Sequence, residues 1–420
     1  MTIAHSIWGT RRLKLLTTKI GSGKTPSGGA ETYQDSGVIF LRSQNIHFDG
    51  LRLNDVAYID EDVHCEMRGT RVMPGDVLLN ITGASLGRVT NFPEGLGEAN
   101  VNQHVCIIRP SEIVDSKFLS YALASHPSQG QILSMQVGGN RDGLNFEQVG
   151  RLEIPVPEIE SQRRIADFID AETARIDKLA TLRREALALL AEREMAVRDS
   201  LVDGLAQKFG EVPLRRFITR IDQGASPQCE SYPRDGTEWA VLKLSSIKRG
   251  RFNAEENKRL PSDMKPNSEH EIRQGDLLVT RANTPQLVGD VAVASGDIKG
   301  LLLPDLIYRI TLDSRLSSEY VAQIALSGRI RTLIESIARG SSQSMVKLRG
   351  EDIREWLIPV ADEEQQESFI REAKRCASAT DRAANAIRHQ LDLLAERRQT
   401  LITAAVTGQL DVTTALRATA

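Results

Sequence analysis

Cysteine is scarce in this chain of 420 residues, and Cys65, Cys106, Cys229 and Cys376 form no Cys-x-x-Cys pair. Such spacing builds neither a disulfide framework nor a thiolate metal site, so reduced structural thiols are expected. Long hydrophobic runs are missing too. No stretch reaches the roughly 18 uncharged apolar residues that a membrane span needs, and Met1 to Lys19 lacks an apolar leader core. A soluble protein without a membrane partner, located in the cytoplasm, is the expectation. Strong charge of one sign is also lacking, the formal net charge being −3. Residues 1–157 hold 14 Lys and Arg against 16 Asp and Glu, while residues 212–360 hold 22 against 19. Any contact with a polyanion must therefore come from segregated faces, not from bulk attraction.

Catalytic motifs are absent in the same way. Gly21-Ser22-Gly23-Lys24-Thr25 resembles the end of a phosphate-binding loop, but Thr18 stands where the first glycine belongs, and the second copy described below reads Asp222-Gln223-Gly224-Ala225-Ser226. Asp235 with Glu256-Asn257-Lys258 fits a loose nuclease spacing that many proteins share by accident, and the first copy has no counterpart. His64-Cys65 and His104-x-Cys106 lack further ligands at metal spacing. No glycine-rich adenosylmethionine loop and no serine, histidine and carboxylate arrangement can be read. The expectation is a non-catalytic chain with no metal site and no cofactor of its own.

What is there is a repeat. Ile154-Pro155-Val156, Gln162 and Leu189-Leu190-Ala191-Glu192-Arg193 return 204 residues later as Ile358-Pro359-Val360, Gln366 and Leu393-Leu394-Ala395-Glu396-Arg397. Weaker echoes lie upstream: Leu13, Ile20, Gly23 and Pro26 match Leu214, Ile221, Gly224 and Pro227, and Gly75-Asp76 matches Gly275-Asp276. Leu144, Glu147 and Val149 match Leu348, Glu351 and Ile353. A unit this long is a domain plus a helix duplicated once, not a solenoid repeat. The order is globule, helix, globule, helix.

From Ser161 to Asp203 there is neither proline nor glycine, and alanine, leucine, glutamate and arginine dominate, which predicts one long helix. The second, Glu363 to Val406, shows an unbroken heptad seam through Ile370, Ala373, Ala377, Thr380, Ala384, Ile387, Leu391, Leu394, Arg398, Leu401 and Ala405. Its counterpart in the first helix runs Ala166, Ile169, Thr173, Ile176, Ala180, Arg183, Leu187, Leu190, Glu194, Val197 and Leu201. Gly204 and Gly408 are expected to cap the two helices. About 44 residues at 1.5 Å each make a rod of roughly 65 Å. Each helix is the obvious mate of the other in an antiparallel pair; the alternative is that each packs only on its own globule. The charged seam positions Arg183, Glu194 and Arg398 either set register or snorkel.

Strands are expected at Val38–Leu41, Val77–Ile81, Val105–Ile108, Val241–Leu244, Leu277–Thr280 and Leu306–Ile310, with helices near Ser116–Ser125 and Ser318–Leu326. The globules are thus mixed and strand-rich, and between framework pieces the copies hardly agree. Polar and basic residues gather in the divergent loops. The first copy offers Arg42, Ser43, Asn45, Asn80, Thr82, Arg88, Asn140 and Arg141 as candidate DNA contacts. The second offers Lys243, Ser245, Ser246, Lys248, Arg281, Asn283, Gln286, Ser342, Gln343 and Lys347. Such side chains read base edges by paired hydrogen bonds, worth about 1–3 kcal/mol of discrimination each. They are equally ordinary loop residues.

At the junctions, Leu152 to Ile165 (LEIPVPEIESQRRI) and Trp356 to Gln366 (WLIPVADEEQQ) resemble the pattern of the specificity subunits (HsdS) of type I restriction-modification systems. The helix endings Leu189–Gly204 and Leu393–Asp411, and the segments Leu41–Ile46, Gly75–Thr82, Asn102-Gln103 and Gly275–Thr280, are similar to that family as well. Ala361 stands where the first copy has Pro157, a departure at one junction.

The resemblance implies an α+β chain with an internal pseudo-twofold repeat, two target recognition domains being separated by a pair of long antiparallel coiled-coil helices. Its parts would be recognition domain 1–157, helix 158–208, recognition domain 209–360, helix 361–411 and tail 412–420. Each domain would read half of a bipartite, asymmetric target on double-stranded DNA, with the helix pair as ruler. Two methyltransferase subunits would dock on the helices and endonuclease-translocase subunits would join them. S-adenosylmethionine and ATP would sit on those partners. The competing reading is a coiled-coil adaptor whose globules bind protein. Duplex binding that weakens steeply with salt separates the two.

Overall fold

The computed structural model describes residues 6–136, 143–337, 339–342 and 345–412. The chain forms two compact units, residues 1–183 with 389–420, and residues 184–388. The division runs through both long helices. Each unit therefore joins one strand-rich globule to a segment of each helix.

In the first unit, a four-stranded antiparallel sheet has the order Thr17–Ser22, Val105–Pro110, Val77–Asn80, Val89–Asn91. A second sheet, ordered Ala57–Ile59, Val38–Leu41, Ala99–Val101, Arg71–Val72, contains one parallel pairing, Val38–Leu41 with Ala99–Val101. The second unit repeats the plan. Ile218–Gln223, Ile307–Leu312, Leu277–Thr280 and Val291–Val293 form its four-stranded sheet, and Ala240–Leu242 lies parallel to Leu301–Leu302. Ser116–Ala124 and Ser318–Ala325 are the corresponding helices, each N-capped by a side chain, Asp115 and Ser317.

The echoes in the sequence mark the shared skeleton. Leu13 and Leu214 are buried, as are Val149 and Ile353, and Leu144 and Leu348. Gly23 and Gly224 have the same cause: a Cβ on either would lie 1.7 Å from a backbone oxygen, Val101 O or Leu303 O. The Gly-Lys-Thr that mimics a phosphate loop is thus a close backbone crossing, and Thr25 spends its hydroxyl on Gln103. Gly75 and Gly275 both adopt φ +86°. Each precedes an aspartate that accepts a backbone N–H three residues upstream, Met73 N to Asp76 and Arg273 N to Asp276, both at 2.8 Å.

Gln162 and Gln366 are the clearest pair. Gln162 is wholly buried; its Oε1 accepts from Asp115 N at 2.8 Å, and its Nε2 donates to Pro157 O at 2.9 Å and Ile113 O at 3.2 Å. Gln366 accepts from Ser317 N at 3.0 Å and donates to Arg315 O at 2.8 Å and Ala361 O at 2.9 Å. One amide locks the start of each long helix to the loop that caps the shorter helix of the globule before it. Because these are backbone partners, the exchange of Pro157 for Ala361 leaves the lock intact.

The first long helix spans Ile159–Phe209 and the second Glu363–Thr407. Gly408, at φ +76°, ends the second as expected. Gly204 does not end the first: the helix continues through it to Gly210, at φ +72°. A glycine inside a helix costs only about 1 kcal/mol, and the following turn buries Leu205 in the second core, which outweighs it.

In the first unit, Ile165, Ala166 and Ile169 share a core with Ile402, Ala405 and Val406, and Arg398 Nη1 binds Asp177 at 2.6 and 2.7 Å. These segments run antiparallel. In the second unit Val202 and Leu205 share a core with Phe369 and Ile370 in the same sense. Each globule also touches both helices of its unit: Lys117 binds Asp170 at 2.6 Å, while Gln399 donates to Ala124 O at 2.7 Å. Among the seam positions Ile169, Ile176 and Ala180 are buried, and Leu187, Leu190, Val197, Ile370, Ile387, Leu391, Leu394 and Leu401 are half-buried. The three charged positions part company. Arg398 crosses to the other helix, Glu194 pairs with Arg198 on its own helix at 3.0 Å, and Arg183 is exposed.

Candidate nucleic-acid interface

The loops that carry the candidate contacts grow from the ends of the central strands, and the structure sorts them by what their side chains already do. Asn45, Asn80 and Ser246 are withdrawn, being 1%, 0% and 1% exposed. Asn45 Oδ1 accepts from Arg42 N at 2.9 Å, and its Nδ2 donates to Arg52 O at 2.7 Å and Asp55 O at 3.1 Å, which closes the loop on itself. Asn80 donates to Ser43 O at 2.8 Å. Buried amides of this kind shape loops and meet no base.

Others are tethered but reach solvent. Arg42 lies 5.8 Å from the Tyr33 ring and donates to Asp55 O at 2.9 Å. Thr82 Oγ1 is 2.6 Å from His104 Nδ1. Ser245 donates to Glu256 at 2.6 Å, with Lys243 3.9 Å from the same carboxylate. That occupies Glu256, and the neighbouring Asn257 is buried and bonded to Arg234 N and Ala254 O, so the nuclease-like spacing has no open carboxylate cluster. Arg281 Nε donates to Tyr308 Oη at 3.1 Å, and Asn283 accepts from Thr284 N at 2.9 Å. Arg88 and Ser43 are half-buried, whereas Lys248, Gln286 and Lys347 are exposed. Asn140, Arg141 and Gln343 lie outside the described residues.

Tertiary structure joins candidates far apart in sequence. Ala282–Asn283 pairs with Met345–Lys347, which pairs in turn with Arg339–Ser342. Asn283, Lys347 and Ser342 thereby share a three-stranded sheet in the second unit. Arg251 and Asn253, absent from the sequence candidates, are exposed beside Lys248 and Arg249. Their signal was the basic run Lys248-Arg249-Gly250-Arg251.

Charge in the framework is mostly spent internally. Asp76, 1% exposed, takes a forked contact from Arg109 Nε and Nη2, both at 2.8 Å, and that hydrogen bonding raises the guanidinium's pKa. Arg309 stands where Arg109 does but donates to Asp222, at 3.2 and 3.1 Å, with Asp276, the counterpart of Asp76, 3.6 Å away; burial raises the Asp276 carboxyl despite Arg309 nearby. His64, buried, sits between Asn100 and Glu98, and its hydrogen bond lowers the Glu98 carboxyl. Burial pushes the Cys106 thiol up to about 12. Among the described residues no group of three or more His, Cys, Asp or Glu is placed to hold a metal ion, and no helix is long and apolar enough to cross a membrane.

Residues 7–187 match the type I restriction modification DNA specificity domain. The chain is 20% identical to the type I restriction enzyme EcoKI specificity subunit of Escherichia coli K12, over 90% of this chain and 83% of that one. It is 20% identical to the StySPI specificity subunit of Salmonella potsdam, over 96% and 89%. Among solved structures, one from a study of complex assembly and conformational transition of the type I system aligns with TM-score 0.70 at 16% identity, covering 96% of this chain and 98% of the other. The HsdS subunit of Thermoanaerobacter tengcongensis aligns with TM-score 0.50 at 17% identity over 96% and 97%. Residues 7–187 thus match a DNA specificity domain of type I restriction-modification systems, and over nearly its whole length the chain is similar to specificity subunits of those systems.

Proposed function

We propose that this chain is the DNA sequence-specificity subunit of a type I complex, in which each strand-rich globule reads one half of a bipartite, asymmetric target. The observation that carries this reading is duplication of the skeleton without duplication of the loops. Gln162 and Gln366, Gly23 and Gly224, and the ion pairs Arg109 with Asp76 and Arg309 with Asp276 hold two equivalent frames. The loops on those frames differ: the hairpin tip Phe48-Asp49 in one corresponds to Arg249-Gly250 in the other. Equivalent frames suit a twofold-related grip on two half-sites, roughly 34 Å apart along the duplex. Different loops make the target non-palindromic.

The helix pair sets the spacer between half-sites and docks two methyltransferase subunits, and endonuclease-translocase subunits complete the assembly. Methylation and cleavage belong to those partners, with S-adenosylmethionine and ATP bound there. The test is to map methylated bases in the host genome with and without this gene, expecting one bipartite motif to vanish. Loss of no motif, together with duplex binding that does not respond to salt, favours the adaptor. Within the interface, Lys347→Ala should weaken binding across sequences and reduce the salt slope by about 1, whereas Asn283→Ala should relax one base position by about 1–3 kcal/mol.

A further inference from the structure

In the second unit the globule and its two helix segments enclose a cleft of about 770 Å3. Its apolar lining comes from Leu187 and Leu190 of the first helix, Ala377 and Ala384 of the second, and Leu326 of the globule. Its charged lining is mostly cationic: Arg198, Lys374 and Arg388 on the helices and Lys248, Arg249 and Arg251 on the hairpin share the cleft with only two carboxylates, Glu194 and Asp381. Those two carboxylates are taken, by Arg198 at 3.0 Å and by Arg251, and Lys374 binds Glu319 at 3.1 Å. Lys248, Arg249 and Arg388 form no ion pair among the described residues. Three lining side chains under one-tenth exposed also hold polar atoms without a partner: Arg198 Nε, Ser246 Oγ and Gln323 Oε1. Buried polar atoms are normally satisfied, so three of them around one cleft mark a place for a polar ligand.

Backbone strain points to the same spot. Ile247–Lys248 pairs with Arg251–Phe252 around a two-residue tip, Arg249-Gly250, in which both φ angles are positive, +48° and +78°. That is a type I′ tip, where asparagine and glycine are favoured at the first position. Arg249 is the only non-glycine residue at positive φ among the described residues. It is held there by Asp290 Oδ2, which accepts its N–H at 2.9 Å. Strain retained in this way belongs with function more often than with folding.

We propose that this cleft binds a nucleoside polyphosphate, its phosphates against Lys248, Arg249 and Arg388 and its nucleoside on the wall of Leu187, Leu190 and Ala384. The volume falls within the roughly 300–1,000 Å3 of small-molecule sites. An inorganic anion would leave the apolar lining uncovered. The inference does not depend on the DNA-reading role.

Isothermal titration of the full chain with ATP, tripolyphosphate and adenosine tests it. One ATP per chain is expected, with tripolyphosphate and adenosine each binding more weakly. Lys248→Glu and Arg388→Glu should each weaken ATP by about tenfold or more. Arg249→Asn keeps the favoured turn while removing the cation, so its melting temperature should hold or rise as ATP affinity falls. Four results would overturn the assignment: no saturable ATP binding at about 1 mM, equal ATP affinity in all three variants, tripolyphosphate binding as tightly as ATP, or polyglutamate binding where ATP does not. Duplex binding measured on the same samples reports separately on the recognition role.

Discussion

Replacing Gln162 by leucine keeps nearly the same volume and removes three hydrogen bonds at once. Asp115 N, Pro157 O and Ile113 O, which the amide now serves at 2.8, 2.9 and 3.2 Å, are left facing a side chain that can neither donate nor accept. Each bare buried group costs about 1–3 kcal/mol, and partial relaxation toward solvent recovers some of it, so a loss on the order of 4 kcal/mol is expected. Gln162→Glu should be at least as harmful near neutral pH. It keeps the acceptor for Asp115 but turns a carboxylate toward two carbonyl oxygens in a fully buried place. A two-unit chain need not unfold in one step, so denaturant melts should be paired with amide hydrogen exchange. In Gln162→Leu the Asp115 amide should lose protection while the Ser317 amide keeps it, and Gln366→Leu should show the reverse. The two locks share no partner, so the double variant should add. A loss below about 1 kcal/mol with Asp115 still protected would refute the assignment of the glutamine as a lock.

Gly23→Ala and Gly224→Ala should each sharply reduce soluble yield and melting temperature, whereas Gly21→Ala, with nothing within 4 Å of its Cβ, should be tolerated; equal behaviour would discard the backbone-crossing account. On the helix seam, Ile176→Ala should cost about 2–4 kcal/mol in a denaturant melt, while the exposed Arg183→Ala stays within about 0.5 kcal/mol. Burial holds the Asp290 carboxyl above its ordinary pKa, so the folded chain binds that proton more tightly than the unfolded one. Stability then falls as pH rises from the ordinary carboxylate value through the raised one, and Asp290→Asn should flatten the curve above the ordinary carboxylate value. An unchanged slope would show that the carboxyl's environment is not what burial makes it.

Some expectations failed in an instructive way. Asn45, Asn80 and Ser246 share the residue types of the exposed candidates, yet the loops fold over them; the two asparagines satisfy backbone groups that the turns leave bare, while the Ser246 hydroxyl is buried without a partner. Gly204 has the composition of a helix stop, and the helix ignores it because Leu205 gains a core position one residue later. Lys347 and Asn283, 64 residues apart in the chain, meet only through strand pairing.

The sequence by itself determined the duplication, the two long helices with their heptad seam, and the positions of most strands. These are written in local periodicity and in identities that recur at one offset, and local pattern needs no partner to be read. Tertiary structure alone decided which polar groups are spent inside, why Gln162 and Gln366 recur, and where a cationic hairpin meets an apolar helix wall. Each of those depends on atoms brought together from distant segments, so a hydrogen-bond partner or a neighbouring charge exists only once the chain has folded.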